Sequence, residues 1–145
     1  KTYGNINFLP FLSTNSEVNE FLNAIDIDLT GLSGAEGWNL PAFNATCLGK
    51  GSIVLNCTSH KDWANKNNSI LVEPEGVEPI YDGTFFHQGS PFNHGNMNSI
   101  SEERIIENFE KSESFVGKNN TEGVKLSKKF TYEKTLNKLL DIIYE

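Results

Sequence analysis

Gly51-Ser52-Ile53-Val54-Leu55-Asn56-Cys57 is the stretch on which the fold turns. It is apolar and β-branched without the alternation of a half-buried strand, the kind of run a parallel sheet buries on both faces. Just upstream, Pro41 to Leu48 predicts a two-turn helix, with Pro at its first position and Gly49 just beyond its end. Ile25-Asp26-Ile27-Asp28-Leu29 alternates as a strand does, and Ser69-Ile70-Leu71-Val72 is a further apolar run stopped by Pro74. Strands alternating with short helices predict an α/β unit with a mainly parallel sheet.

Farther out, residues 6–12 (Ile-Asn-Phe-Leu-Pro-Phe-Leu) read as a short buried strand whose ladder Pro10 limits. Thr14 and Glu17 have capping-box spacing, and Val18, Phe21, Leu22 and Ile25 form the stripe of an amphipathic helix. Residues 75–98 hold prolines, glycines and aromatics with almost no periodicity and read as one long irregular loop, packing against the domain or facing an acceptor or partner. A helical tail is expected over 99–145. Ser99 and Glu102 form its first capping box, residues 117–124 break it, and Thr131 caps a last helix carrying Leu136, Leu139, Leu140 and Ile143.

The chain has 145 residues, enough for one domain, and its 37% hydrophobic content with sixteen aromatics can build a core. That excludes a disordered tail, and two cysteines exclude a disulfide scaffold. Net charge is −7 with a single arginine, Arg104, so no basic surface for nucleic acid is present. No run approaches the ~18 apolar residues of a membrane helix. Eighteen Asn and eleven Lys against one Arg suggest a low-GC coding bias, so Asn is discounted as a functional signal. The Asn-x-Ser/Thr matches at Asn44, Asn56, Asn67 and Asn119 are then compositional, and reduced Cys47 and Cys57 fit a cytoplasmic protein. Because the chain opens on Lys1, a fragment is expected.

Between strand and helix lies Glu36-Gly37-Trp38-Asn39-Leu40-Pro41. A Gly-containing turn at a strand's carboxyl end admits a ligand to the backbone, and the following helix offers unpaired N–H groups to an anion. Glu36 can accept hydrogen bonds from hydroxyls. On spacing alone, an ordinary βα connection is the favoured reading. Asp26-x-Asp28 has the spacing of a divalent-metal site on a nucleotide diphosphate, as in GT-A glycosyltransferases, but it is a short pattern. His60, His87 and His94 show no zinc spacing with the cysteines. Gly49-Lys50-Gly51-Ser52 lacks the spacing of a phosphate loop, and the acids over 102–113 read as a solvated helix face.

Ser33-Gly-Ala-Glu36-Gly37-Trp38-Asn39-Leu40-Pro41-Ala42-Phe43-Asn44-Ala45, followed by Gly49 and Ser52-Ile-Val-Leu55, resembles the signature of retaining, glycogen-synthase-like GT-B glycosyltransferases. Ile6 to Leu12, Ala24-Ile-Asp26, Asn68, Leu71-Val72-x-Pro74 and Phe130-Thr-Tyr-Glu133 are similar to that family's flanking motifs, in order. The likeness covers roughly residues 6–74 and 127–144.

It implies a Rossmann-like three-layer domain equivalent to most of the C-terminal, donor-binding half of such an enzyme. Residues 1–145 would form a single, partial nucleotide-sugar-binding domain lacking the N-terminal acceptor domain. Glu36 matches the sugar-contacting acid. Gly37, Trp38, Asn39 and Leu40 match the turn whose backbone meets sugar and diphosphate, and Asn44 stands where the ribose-gripping acid belongs. Leu9, Pro10 and Phe11 fall where the nucleotide base packs. A nucleotide sugar would be substrate, with no further cofactor and no metal. The family's Arg and Lys for the leaving diphosphate have no match: Lys1, Lys50, Lys61 and Lys66 stand elsewhere. A glycosyltransferase-like binding module without catalysis is therefore the alternative. A half-enzyme would also leave a sheet edge and a closing helix bare, which predicts a homodimer.

Overall fold

The computed structural model describes residues 5–144, so Lys1 and both ends of the expected domain lie outside the described residues. Strand β2 (Gly51–Leu55) is the middle of a three-stranded parallel sheet, with β1 (Ile27–Asp28) and β3 (Ile70–Val72) on either side. Ile27 aligns with Gly51, and Ile53, Val54 and Leu55 align with Ile70, Leu71 and Val72. All five residues of β2 are buried, so the run without alternation means a strand covered on both faces.

Successive side chains of β2 enter two different cores. Val54 packs with Ala42, Trp63, Ala64 and Leu126. Ile53 and Leu55 pack with Cys57, Val72 and, from the segment before α3 (Glu102–Ser112), Ile100. Helices α2 (Leu40–Cys47) and α4 (Thr121–Ser127) therefore cover one face and the α3 side covers the other. The result is a mixed α/β arrangement of helices about a small parallel sheet, compatible with a Rossmann-like fold.

Helix α1 (Asn15–Ala24) carries the expected capping box: Glu17 N–H donates to Thr14 Oγ1 at 3.2 Å and Thr14 N–H to the Glu17 carboxylate at 2.9 Å. Pro41 stands at the second position of α2, since Asn39 is its cap and Leu40 its first residue. Gly49, at φ +84°, ends the helix in the left-handed region where a side chain would be strained. The last helix, α5 (Tyr132–Tyr144), starts at Thr131, whose hydroxyl accepts from Lys134 N–H at 3.3 Å. None of its described side chains is buried, so its apolar face is bare.

Four expectations need correction. Residues 6–12 form no strand, and Phe8 and Phe11 are 94% and 92% exposed. Pro10 cannot donate to a ladder, and the edge strand β1 is only two residues long. The segment 75–98 is not wholly irregular: β4 (Gly76–Pro79) pairs antiparallel with β5 (Asn96–Ser99). Ser99 belongs to that ladder and caps nothing; Ser101 caps α3, accepting from Arg104 N–H at 3.3 Å. The expected break at 117–124 contains the start of α4, capped by Asn120, whose Oδ1 accepts from Gly123 N–H at 2.9 Å.

Candidate functional site

The turn from β1 into α2 is held by groups far from it in sequence. Asn39 is a non-glycine residue in the left-handed region, φ 59° and ψ 68°. Its Oδ1 accepts from Ala42 N–H at 3.3 Å, and its Nδ2 donates to the Thr30 carbonyl at 2.7 Å. The same Nδ2 lies 3.1 Å from His60 Nε2, while His60 Nδ1 lies 2.8 Å from the Leu55 carbonyl. A carbonyl can only accept, so Nδ1 carries the ring proton and Nε2 accepts from Asn39. The fully buried His60 thereby ties the turn to the end of β2.

Three alternate carbonyls of the turn are also engaged. Gly34 accepts from the backbone N–H and Nδ2 of Asn98, each at 3.1 Å. Glu36 accepts from Ser59 Oγ and Trp38 from Trp63 Nε1, both at 3.1 Å. The Trp38 ring packs edge-on against Phe43 and Phe130, with centroids 5.5 and 5.2 Å away. Phe43 meets Trp63 and Phe130 in the same manner, so four aromatic rings fasten turn, helix and tail together.

Gly37 and Leu40 are exposed, Glu36 and Trp38 half-buried and Asn39 buried. Among the described residues, none bonds the Glu36 carboxylate and none accepts from the N–H groups of Gly37, Trp38, Asn39 or Leu40. Pro41 has no N–H, and those of Ala42 and Phe43 go to Asn39. Leu40 and Asn44, four residues apart, share the exposed face of α2, while Ala42, Ala45 and Thr46 face the sheet. Asn44 then lines a hollow of about 480 Å³ with Asn15, Asn19, Leu22 and Cys47. Glu36 does not line it, and neither do Leu9, Pro10 and Phe11. Those three residues are exposed rather than packed as a base-binding wall, because the segment before α1 joins no sheet. Burial pushes the Cys47 thiol up to about 11, so it is an uncharged wall of the hollow.

Asp26 and Asp28 are committed separately. Asp28 is buried and accepts from Thr30 Oγ1 at 2.9 and 3.0 Å to its two oxygens, whereas exposed Asp26 accepts from Gly117 N–H at 3.2 Å. Burial raises the Asp28 carboxyl above its ordinary value, an effect the Thr30 hydroxyl partly offsets. Arg104, on α3, pairs with the Glu75 carboxylate at 3.7 Å. Burial pushes the Cys57 thiol up, an effect offset in part by the Thr58 hydroxyl and less by Lys61, both on the turn carrying Ser59 (Thr58–Asp62).

Sequence reasoning picked out the turn itself and missed its supports. His60 was set aside with the other histidines for want of zinc spacing, and Asn98 fell in the stretch expected to be irregular. Among the described residues, no helix is long and apolar enough to cross a membrane. The chain matches no protein-family model, and no curated protein aligns with it at a significant level.

Proposed function

We propose that this chain is the donor-binding unit of a GT-B-type glycosyltransferase, taking a nucleotide-diphosphate sugar as its ligand. The observation that supports this reading is the division of labour in the turn 33–40. The carbonyls of Gly34, Glu36 and Trp38 and the Asn39 side chain are bound to the rest of the fold, while the Glu36 carboxylate and the N–H groups of residues 37–40 have no partner among the described residues. Such a rigid rim at the carboxyl end of a parallel strand suits a ligand with hydroxyls and a diphosphate. Glu36 accepts from the sugar hydroxyls, the backbone donors meet the phosphates, and Asn44 offers its carboxamide to the ribose. In the parent enzyme the bond between sugar C1 and the diphosphate oxygen breaks. The acceptor hydroxyl oxygen bonds to C1 and gives up its proton, and the nucleoside diphosphate leaves.

Titration calorimetry with UDP-, GDP- and ADP-sugars tests this. One of them binds, and Glu36→Ala weakens it tenfold or more at unchanged thermal stability, because no described residue uses that carboxylate. Absence of binding by all three would refute the assignment. One observation favours a second reading, a module that binds without transfer: Asn44 is neutral and Lys61 is the cation placed on the turn that contacts Glu36. Sugar transfer by the chain with any of these donors would remove that reading.

A further inference from the structure

The β4–β5 hairpin lies in a stretch to which the family resemblance does not extend, yet it is fastened to the centre of the turn. Asn98, in β5, donates two hydrogen bonds to the single carbonyl of Gly34, 64 residues away in sequence. The approach is backbone on backbone. A Cβ added at Gly34 would stand 2.8 Å from the Asn98 carbonyl carbon and closer still to its oxygen. Only glycine permits this contact, and two residues later comes Glu36. The base of the hairpin is closed at this same end, since Glu75 N–H donates to the Ser99 carbonyl and Ser101 N–H to the Glu75 carboxylate at 2.7 Å. Asp82 closes its outer part by accepting from the N–H groups of Thr84, Phe85 and Phe86 at 2.8–2.9 Å.

Resting on the donor-site reading above, we propose that the β4–β5 hairpin positions the sugar-binding turn. The Gly34–Asn98 clasp, with Asn98 as its positioning residue, holds Glu36 and the N–H groups of residues 37–40 in register for the donor. A carbonyl gripped by two donors from one residue cannot swing, so the chain beyond it starts from a fixed point. Movement of the hairpin is thereby transmitted to the donor rim.

Donor affinity is the readout, measured by calorimetry with UDP-, GDP- and ADP-sugars well below the melting temperature. Asn98→Ala removes the side-chain bond and keeps the strand; it weakens the bound donor about two- to tenfold, the range of one hydrogen bond. Gly34→Ala parts the two backbones and weakens it more than tenfold. Gln88→Ala, an exposed change in the same hairpin, leaves affinity as in the wild type. Amide resonances of residues 37–40 shift in Asn98→Ala and stay in place in Gln88→Ala, a difference that loss of stability alone does not produce. If Gly34→Ala does not fold, Asn98→Ala decides. Wild-type binding with unchanged affinity and resonances in Asn98→Ala would overturn the clasp and leave the donor site standing. Failure of the wild type to bind any of the three would overturn both.

Discussion

Replacing Asn39 separates the forces that hold the turn. In Asn39→Ala the cap and both Nδ2 hydrogen bonds are lost and the backbone is strained, the exposed Thr30 carbonyl being free to turn to water. The α2 cap is worth about 1 kcal/mol. His60 Nε2, in a side chain with no exposed surface, is left without its donor, at about 1–3 kcal/mol. Alanine must also take φ 59°, at about 1 kcal/mol. Because these groups touch, the terms add imperfectly, and the expected loss is about 3–5 kcal/mol. In Asn39→Gly the backbone term vanishes and glycine caps nearly as well, so the loss falls to about 2–3 kcal/mol, chiefly the His60 term. Urea unfolding resolves the two: at roughly 2 kcal/mol per molar for a chain of this size, the alanine midpoint falls by about 2 M and the glycine midpoint by about 1 M. An alanine variant within about 0.5 kcal/mol of wild type would show that the buried network contributes nothing. Equal losses for alanine and glycine would show that the left-handed backbone carries no strain.

The Cys47 thiol, raised from 9.0 to about 11, favours the folded state below about pH 9 and loses that contribution between about 9 and 11, as the unfolded thiol ionises first. At pH 8 it therefore reacts with a disulfide reagent at least about tenfold more slowly than in the urea-unfolded chain, its lower thiolate fraction being partly offset by higher nucleophilicity; equal rates would refute its burial. Asp28 titrates above its ordinary value in the fold, so its contribution is most favourable in acid and is lost as pH rises through that folded value. Asp28→Asn should then melt higher than wild type at pH 7, with the gain shrinking toward pH 4, and a lower melting point at pH 7 would contradict this. Deleting everything after Thr131 should move the midpoint by only a few degrees, because α5 buries none of its described side chains. A loss matching Leu55→Ala in the core, about 2–5 kcal/mol, would show that α5 is docked.

The elements that were legible carry their signal in side chains. The all-buried β2 required apolar residues at every position, and capping of α1 required Thr14 and Glu17 at fixed spacing. Gly49 marked the end of α2 because only glycine takes its backbone angle cheaply. The misreadings have equally local causes. Phe8 and Phe11 look like core residues but have no neighbouring strand to bury them. Discounting Asn as compositional hid Asn120, which caps α4 while its Nδ2 donates to the carbonyls of Lys50 and Asn68 at 3.0 and 2.7 Å. The hairpin strands are mostly exposed and polar, so no hydrophobic period announces them.

By itself the sequence determined the parallel α/β core, the position of α2 and the turn at Glu36 to Pro41, because burial and capping select residue types. Only the tertiary structure decided what holds that turn: His60 behind Asn39, Ser59 and Trp63 on its carbonyls, and Asn98 on Gly34. Each of those contacts ends on a backbone carbonyl or runs through a side chain whose partner lies at least 21 residues away. Every residue has a carbonyl, so the choice of which one is gripped leaves no mark in the sequence and is made only when the chain folds.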